Sequence, residues 1–341
     1  MMSGTSNADE SLSRLEDGAE SLAGEGRWAD LGALLESIPR ELLLSEGSLA
    51  YRYGEALYHT GRMEDLAAHA EVLEAASRQR VDVDATMRAL NLAGIAAFEL
   101  GRVGRALVKF DSLMELAESE DSVDMLARAA NNLGAIANLR GRRHEALAYY
   151  HLAAPLYQKL GQVRGLAQTH HNIGLTYRDL DKPDDAIAAF EHAISLSRDL
   201  SYDFLRALSM AGKAEIELRL ADGRLSERLA DRALQLARDI GDPISEAEAL
   251  RVRGLARASD AAATAGDSGW KADLEAALTL ARETRNALLE AEIERDLGWA
   301  LSERGDEETG HRLLESAAVR FQGLGALAET RRIRERLSTT S

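Results

Sequence analysis

Asparagine side chains recur about forty residues apart in the middle of this sequence, each time with an arginine nearby. Arg128, Asn131 and Asn132 occur in one segment, and Asn172 and Arg178 occur in the next. An amide side chain carries both a donor and an acceptor, which suits the backbone of an extended peptide, and an arginine offers forked donors to a carboxylate. A helix also needs a polar side that only faces water. Because asparagine is a weaker helix former than the Glu, Lys or Arg that such a side favours, the pattern favours a binding wall.

Residue patterns for catalysis or metal binding do not occur in this sequence. There is no P-loop, HExxH zinc motif, EF-hand loop or GxSxG nucleophile elbow. The eight histidines are scattered, and the adjacent His170 and His171 would point about 100° apart on a helix, so they cannot share a metal ion. We therefore expect no enzyme activity, no catalytic residue, no metal site and no cofactor.

Charge and composition narrow the classes of partner. With 57 acidic and 41 basic residues the net charge is −16, which repels phosphate backbones and anionic membranes. The absence of cysteine excludes disulfides, thiolate metal sites and cysteine nucleophiles. The N-terminal segment lacks the basic start and apolar core of a signal peptide, and no apolar run is long enough to cross a membrane. We expect a cytoplasmic protein that binds neither nucleic acid nor membranes.

The elements that must position these residues are helical repeats. Asn132-Leu133-Gly134 corresponds to Asn172-Ile173-Gly174, and the same step of forty residues connects small residues along most of the chain. These small residues are Gly54, Gly94, Gly134, Gly174, Ala214 and Gly254. The step lengthens to forty-four residues before Gly298, and we expect the extra residues to form a lengthened helix and turn over 261–270. Each unit of such an array buries its apolar stripe against its neighbours.

Glycine positions and apolar periodicity predict the helix boundaries. Gly61 and Gly101 end the first helix of a pair, because glycine adopts the left-handed cap conformation without penalty. The eight predicted pairs cover 10–38, 48–79, 84–118, 124–160, 163–200, 204–240, 244–284 and 287–322. We expect a disordered tail over 1–9, one solenoid over 10–325, and a capping helix and tail over 326–341.

The second helix of each central pair carries a small residue, an aromatic residue and another small residue. In one pair these are Ala146, Tyr150 and Ala153, and Phe190 takes the aromatic position forty residues later. This pattern, with a glycine where the first helix meets its partner, resembles the tetratricopeptide repeat. The Asn-Leu-Gly signature and the long step resemble Leu-Gly-Asn-repeat scaffolds, kinesin light chains and MalT-type bacterial regulators. The resemblance implies an all-α fold, a right-handed α-solenoid of about eight tetratricopeptide-like helical pairs with a C-terminal capping helix.

In the tetratricopeptide family, the side of the first helix opposite its apolar stripe lines a concave groove. Carried onto this sequence, that side gives a peptide-binding groove formed by Arg88, Asn91, Phe98, Arg128, Asn131, Asn132, Asn138, Gln168, His171, Asn172, Leu175 and Arg178. The three arginines share their helix faces with only two acids, Glu99 and Asp179. The last unit differs, because it carries acids such as Glu292 and Asp296 on that side.

The implied function is a non-enzymatic scaffold or adaptor that binds an extended or acidic peptide segment, or a C-terminus, of another protein in this groove. The alternative is a ligand- or peptide-sensing module of a bacterial regulatory system, in line with the MalT-type resemblance. Self-association through the apolar ends of the array is a further option. Trp299 also falls at a groove position, and packing near the capping helix explains it equally well.

Overall fold

The structure, a computed structural model, describes residues 4–259 and 269–339, with side chains over 12–259 and 269–338. Within these ranges the chain forms eighteen α-helices and no β-strand, which confirms the all-α class. The helices are α1 (Gly4–Gly24), α2 (Trp28–Glu36), α3 (Arg40–Ser45), α4 (Gly47–His59), α5 (Met63–Arg80), α6 (Val83–Glu99), α7 (Val103–Ser119), α8 (Val123–Leu139), α9 (Arg143–Leu160), α10 (Val163–Asp179), α11 (Pro183–Asp199), α12 (Asp203–Arg219), α13 (Gly223–Ile240), α14 (Pro243–Ser259), α15 (Gly269–Glu283), α16 (Ala287–Glu303), α17 (Glu307–Gly323) and α18 (Leu327–Thr339).

Two compact units divide the chain, residues 1–129 and 130–341, and helix α8 crosses the division. All eight predicted helical pairs are present in the described residues, from α1 with α2 to α16 with α17, so the array of helical pairs is confirmed. A short helix that the sequence did not predict, α3, lies between the first and second pairs. It follows Pro39 and buries Leu43 alone, which is too little apolar periodicity to indicate a helix.

The turns inside the pairs require a left-handed residue. Gly61 and Gly101 have φ values of 73° and 70°, as their place in the sequence predicts. In later pairs Asp181 and Ala221 hold the same conformation, with φ values of 56° and 64°. That conformation costs a residue with a Cβ about 1 to 2 kcal/mol, so packing of the flanking helices must enforce it there.

The glycine of the first helix and the aromatic residue of the second form one packing device. A Cβ on Gly134 would lie 2.5 Å from Cε1 of Tyr150, and a Cβ on Gly174 would lie 2.7 Å from Phe190. Both rings are buried, because each fills the volume that a side chain at the glycine would need. The Phe190 ring also lies against Gly212 of the following pair. The aromatic position is therefore a core position that joins successive pairs.

The two ends of the array differ in how closely they follow prediction. Helix α18 is the predicted capping helix, and it packs on α17 with Ile333 fully buried. Helix α1 begins at Gly4, inside the segment 1–9 that was expected to be a tail. The lengthened helix and turn expected over 261–270 lie outside the described residues, apart from the start of α15. None of the described helices is long and apolar enough to cross a membrane.

Candidate functional site

Arg88 and Arg128 meet at Tyr51 in the first unit. The guanidinium of Arg88 lies 5.4 Å from the centre of the Tyr51 ring, and Arg128 Nη1 donates to Tyr51 Oη at 3.4 Å. Each arginine is also bonded to the acid one turn earlier on its helix. Arg88 Nε lies 2.8 Å from Asp84, and Arg128 Nε lies 3.1 Å from Asp124. Burial raises the pKa of Tyr51, so its neutral hydroxyl can accept from an arginine.

Tyr51 was absent from the predicted groove, although the sequence carries a signal for it. It precedes Asn91 by forty residues and therefore holds the same repeat position. Asn91 itself is 2% exposed, so the structure places it within the packing of α6 instead of on an open surface. Phe98 and Glu99 are half-buried at the end of that helix, and burial raises the pKa of Glu99 to about 6.

Asn131, Gln168 and Asn172 form what we call the amide cluster, which lies in the second unit. Asn131 Oδ1 accepts from Asn172 Nδ2 at 3.3 Å and from Thr169 Oγ1 at 3.0 Å. Gln168 Nε2 donates to Asn172 Oδ1 at 3.3 Å. Asn131 is 8% exposed, whereas Gln168, Asn172 and the neighbouring Asn132 are half-buried. Asn131 therefore supports the cluster from inside, and the other amides form its accessible part.

His171 lies in the packing between helices and not on an accessible wall. Its Nδ1 is 3.0 Å from Ser209 Oγ on α12, and its ring centre is 5.7 Å from that of Phe190 on α11. Burial lowers the pKa of His171 to about 3, so the ring is neutral. The physical reason is the helical step, which turns His171 about 100° away from Asn172 and toward the next helices. Leu175 is half-buried and packs against the apolar cluster around Phe190.

Arg178 is bonded to acids of its own chain. Its Nη1 donates to Glu215 at 3.1 Å, its Nε donates to Asp179 at 2.9 Å, and its side chain is only 11% exposed. Asn138 Nδ2 lies 3.4 Å from the same Asp179 carboxylate, while Asn138 Oδ1 is buried without a hydrogen-bond partner. The prediction that set the groove arginines against Glu99 and Asp179 alone thus overlooked Asp84, Asp124 and Glu215.

Buried charges continue from Arg178 across the first helices of the second unit. Arg251 is 1% exposed and donates from Nη2 to Glu215 at 2.7 Å and from Nη1 to Asp296 at 2.6 Å. Asp296 also accepts from Arg295 Nε at 2.8 Å. We call this series the ion-pair chain, and its members are Arg178, Glu215, Arg251, Asp296, Arg295 and Glu329. Although burial alone would raise the pKa of Glu215, Arg178 and Arg251 hold it well below its usual range.

Apart from Arg178, the predicted groove did not include the ion-pair chain. Arg251 nevertheless lies eighty residues after His171 and holds its repeat position, so two further steps of forty lead to it. Its partners Glu215 and Asp296 could not be inferred in the same way, because they lie on two other helices, α12 and α16.

Trp299, on α16, packs against the capping helix α18. The guanidinium groups of Arg295, Arg332 and Arg336 lie 5.3, 5.0 and 5.8 Å from its ring. The ring adjoins the apolar cluster of α16 to α18, and Leu139 at the end of α8 packs against the same cluster. The structure therefore favours the packing interpretation of Trp299. The contact of Leu139 also brings the end of α8 next to the cluster that contains α18.

Residues 125–199 match the family model described as tetratricopeptide repeat. The chain is a tetratricopeptide-like repeat protein. Its matched segment contains α8 to α11 almost entirely, including the Gly134–Tyr150 and Gly174–Phe190 packing pairs. No curated protein sequence matches the chain.

Solved structures resemble this tetratricopeptide-like array over most of its length. A Rap protein complexed with competence and sporulation factor is 13% identical, with 97% of each chain covered and a TM-score of 0.65. The Rap conjugation gene regulator of plasmid pLS20, in complex with the Phr* peptide, is 14% identical, with 84% of this chain and 77% of that chain covered and a TM-score of 0.66. The apo form of the quorum sensor NprR from B. thuringiensis is 15% identical, with coverages of 90% and 86% and a TM-score of 0.63. At these identities the likeness concerns the fold.

Proposed function

We propose that this protein is a non-enzymatic interaction scaffold that binds an extended peptide segment of another protein along the polar side of its first helices. The amide cluster carries the proposal. Gln168 and Asn172 keep part of their surface accessible, and their amides are aligned by hydrogen bonds to each other and to Asn131. The proposal assigns no catalysis, no cofactor and no nucleic-acid or membrane partner, and it places the protein in the cytoplasm.

An extended peptide suits the amide cluster for a chemical reason. A peptide backbone presents alternating donors and acceptors. Carboxamide side chains can hydrogen-bond to both, and these bonds do not depend on the sequence of the guest. Each such bond contributes only about 1 kcal/mol net, so several must act together with apolar contacts to reach micromolar affinity. Leu175 lies one turn after Asn172 and provides an apolar contact beside the amides.

The first unit, taken by itself, offers Arg88 and Arg128 to an acidic group. Their present partners, Asp84 and Asp124, keep 62% and 31% of their side chains exposed. A guest carboxylate can therefore replace either of them at little cost, because exposed pairs contribute less than about 1 kcal/mol. Exchange at Arg178 is unfavourable, since it would leave the buried Glu215 without one of its counter-charges.

Two of the similar structures support a peptide guest by what their names state. One Rap protein is complexed with competence and sporulation factor, and the pLS20 Rap regulator is in complex with the Phr* peptide. The sensing alternative gains support from Leu139, at the end of α8, which packs against the cluster that contains the capping helix α18. A contact between helices that are distant in sequence can form or break when a guest binds. Under that alternative, small-angle scattering would show compaction of the chain when bacterial cell extract is added.

The test uses random peptides displayed on phage and selected on the full-length chain, followed by calorimetry with the selected synthetic peptide. Gln168→Ala combined with Asn172→Ala should weaken binding at least about tenfold, or 1.4 kcal/mol, with unchanged helix content. Gln235→Ala is the matched control, because Gln235 on α13 also donates to the side chain four residues later and is exposed. Failure to select any peptide, or equal affinity of the double variant and the control, would refute the proposal.

A further inference from the structure

Four of the five acids of helix α16 form ion pairs with arginines, and the fifth forms none within the described part of the chain. Glu290 and Glu294 each contact Arg282 and Arg320. Asp296 contacts Arg251 and Arg295, and Glu303 contacts Arg336. Glu292 makes no hydrogen bond or ion pair with any residue that the structure describes. Because every other acid of this helix forms an ion pair with an arginine, the carboxylate of Glu292 requires an explanation.

Glu292 lies on the side of α16 that carries Arg295 and Asp296 of the ion-pair chain. It precedes Asp296 by four residues and Arg295 by three, so all three share one face of the helix. The charged groups that act on its carboxyl are Arg178 on α10, Arg251 and Glu248 on α14, and Arg295 on its own helix.

The nearby arginines do not supply Glu292 with a counter-charge of its own. Arg178 is bonded to Glu215 and Asp179, and Arg295 is bonded to Asp296 and Glu329. Arg251 is shared by three other carboxylates, including Glu248, which it contacts at 2.7 Å. Glu292 is therefore a half-buried carboxyl group on this side of the second unit without an ion-pair partner of its own.

The repeat positions along the second unit lead to the same place. Gln168, Leu208 and Glu248 follow one another at steps of forty, and Glu292 follows after the longer step of forty-four. The row therefore changes from an amide beside Asn172, through an apolar residue, to two carboxylates. A peptide that starts on the amide cluster and follows this row meets acids at its far end.

We infer that Glu292 is the anchor for a positively charged group of the bound peptide, either a lysine or arginine side chain or the N-terminal amine. The inference rests on the proposed peptide-binding function and adds the charge that one end of the guest must carry. A divalent metal ion is a poorer occupant, because the described residues contain no group of three metal-ligating side chains. A guest ammonium or guanidinium needs only one carboxylate and a few further acceptors.

Burial gives the anchor a pH dependence. It raises the pKa of Glu292 to about 7, against the opposing influence of Arg251 and Arg178. A guest cation binds the ionised carboxylate, so its affinity should fall as the pH falls below that value. For a peptide with an internal lysine, we expect a loss of at least about tenfold between pH 7.5 and pH 5.5.

The test compares selections from two random peptide libraries, one with free and one with acetylated N-termini, on the full-length chain and on Glu292→Gln. The wild type should enrich peptides with lysine, arginine or a free N-terminus, and the two libraries show which of these it takes. Glu292→Gln should lose the enrichment and the pH dependence while it still retains peptides through the amide cluster. Glu303→Gln, with the same charge change on the same helix, should behave as the wild type.

The outcomes separate the anchor from the proposed function. Peptides that depend on Asn172 but show no enrichment of cations, or an equal enrichment on Glu292→Gln, would overturn the anchor and leave the scaffold function standing. If neither chain retains any peptide, the scaffold function fails and the anchor fails with it. Circular dichroism of Glu292→Gln controls for folding, and we expect native helix content because the change removes an unmatched charge.

Discussion

Arg251 Nη1 and Asp296 Oδ2 are 2.6 Å apart, and their side chains are only 1% and 5% exposed. The bond joins α14 to α16 and so crosses from one helical pair to the next. Shielding an ion from water costs several kcal/mol, which one contact rarely offsets. Here Glu215 and Glu248 accept from the same guanidinium, so all three of its nitrogens donate. The network therefore connects α12, α14 and α16, one helix from each of three successive pairs.

Arg251→Met should lower the free energy of unfolding by about 3 kcal/mol, because it leaves buried carboxylates short of a counter-charge. Urea denaturation followed by circular dichroism measures the loss. Arg238→Met is the control, since Arg238 forms an exposed pair with Glu246 and should contribute less than about 1 kcal/mol. Equal losses for the two variants would contradict the structural role of the ion-pair chain.

Gly134→Ala should destabilise the protein by about 1 to 3 kcal/mol, because the added Cβ would lie 2.5 Å from the Tyr150 ring in a filled core. Gly104→Ala on α7 should do the opposite, since nothing lies within 4 Å of its added Cβ. A glycine replaced by alanine in a helix stabilises by about 0.5 to 1 kcal/mol. Thermal unfolding of both variants checks the prediction, and a change of the same sign in both would refute it.

The repeat unit was predictable from the sequence, whereas the partners of the polar residues on the first helices were not. The contact of Gly134 with Tyr150 recurs at a fixed step in the neighbouring pairs, as Gly94 with Phe110 and Gly174 with Phe190, so the step reveals both the fold and the core. The polar partners change from unit to unit. Asn131 contacts another amide, while Arg251 at the same repeat position contacts acids from two other helices. Periodicity gives the position of such a residue but not the charge that faces it.

Glu292→Gln should alter the dependence of stability on pH. Burial raises the pKa of Glu292 from 4.5 to about 7, so the folded state binds a proton that the unfolded state has released. This carboxyl therefore lowers stability progressively as the pH rises from 4.5 to 7, by about 1.4 kcal/mol per pH unit at most. The variant removes that slope and should be more stable than the wild type at pH 8. Urea titrations at several pH values would disprove this if the two proteins gave parallel curves.

His171→Asn should change the pH dependence in the opposite direction. Burial lowers the pKa of His171 from 6.5 to about 3, so the unfolded state binds the extra proton between these values. Its contribution to stability is present above pH 6.5 and is lost as the pH falls toward 3. Asparagine keeps a polar atom near Ser209 without titrating, so the variant should lose less stability than the wild type on acidification. An unchanged acid slope would show that the ring is protonated in the folded state.

Leu139→Glu tests whether the contact between α8 and the capping helix keeps the second unit closed. Leu139 packs against the cluster that contains Phe321 and Ile333, and a carboxylate there would be partly shielded from water among apolar side chains. We expect α18 to separate from this position and the radius of gyration, measured by small-angle scattering, to increase. Leu160→Glu, at a side chain that is 39% exposed, should leave the radius unchanged. An unchanged radius in Leu139→Glu as well would show that other contacts hold the capping helix, and it would remove the structural support for the sensing alternative.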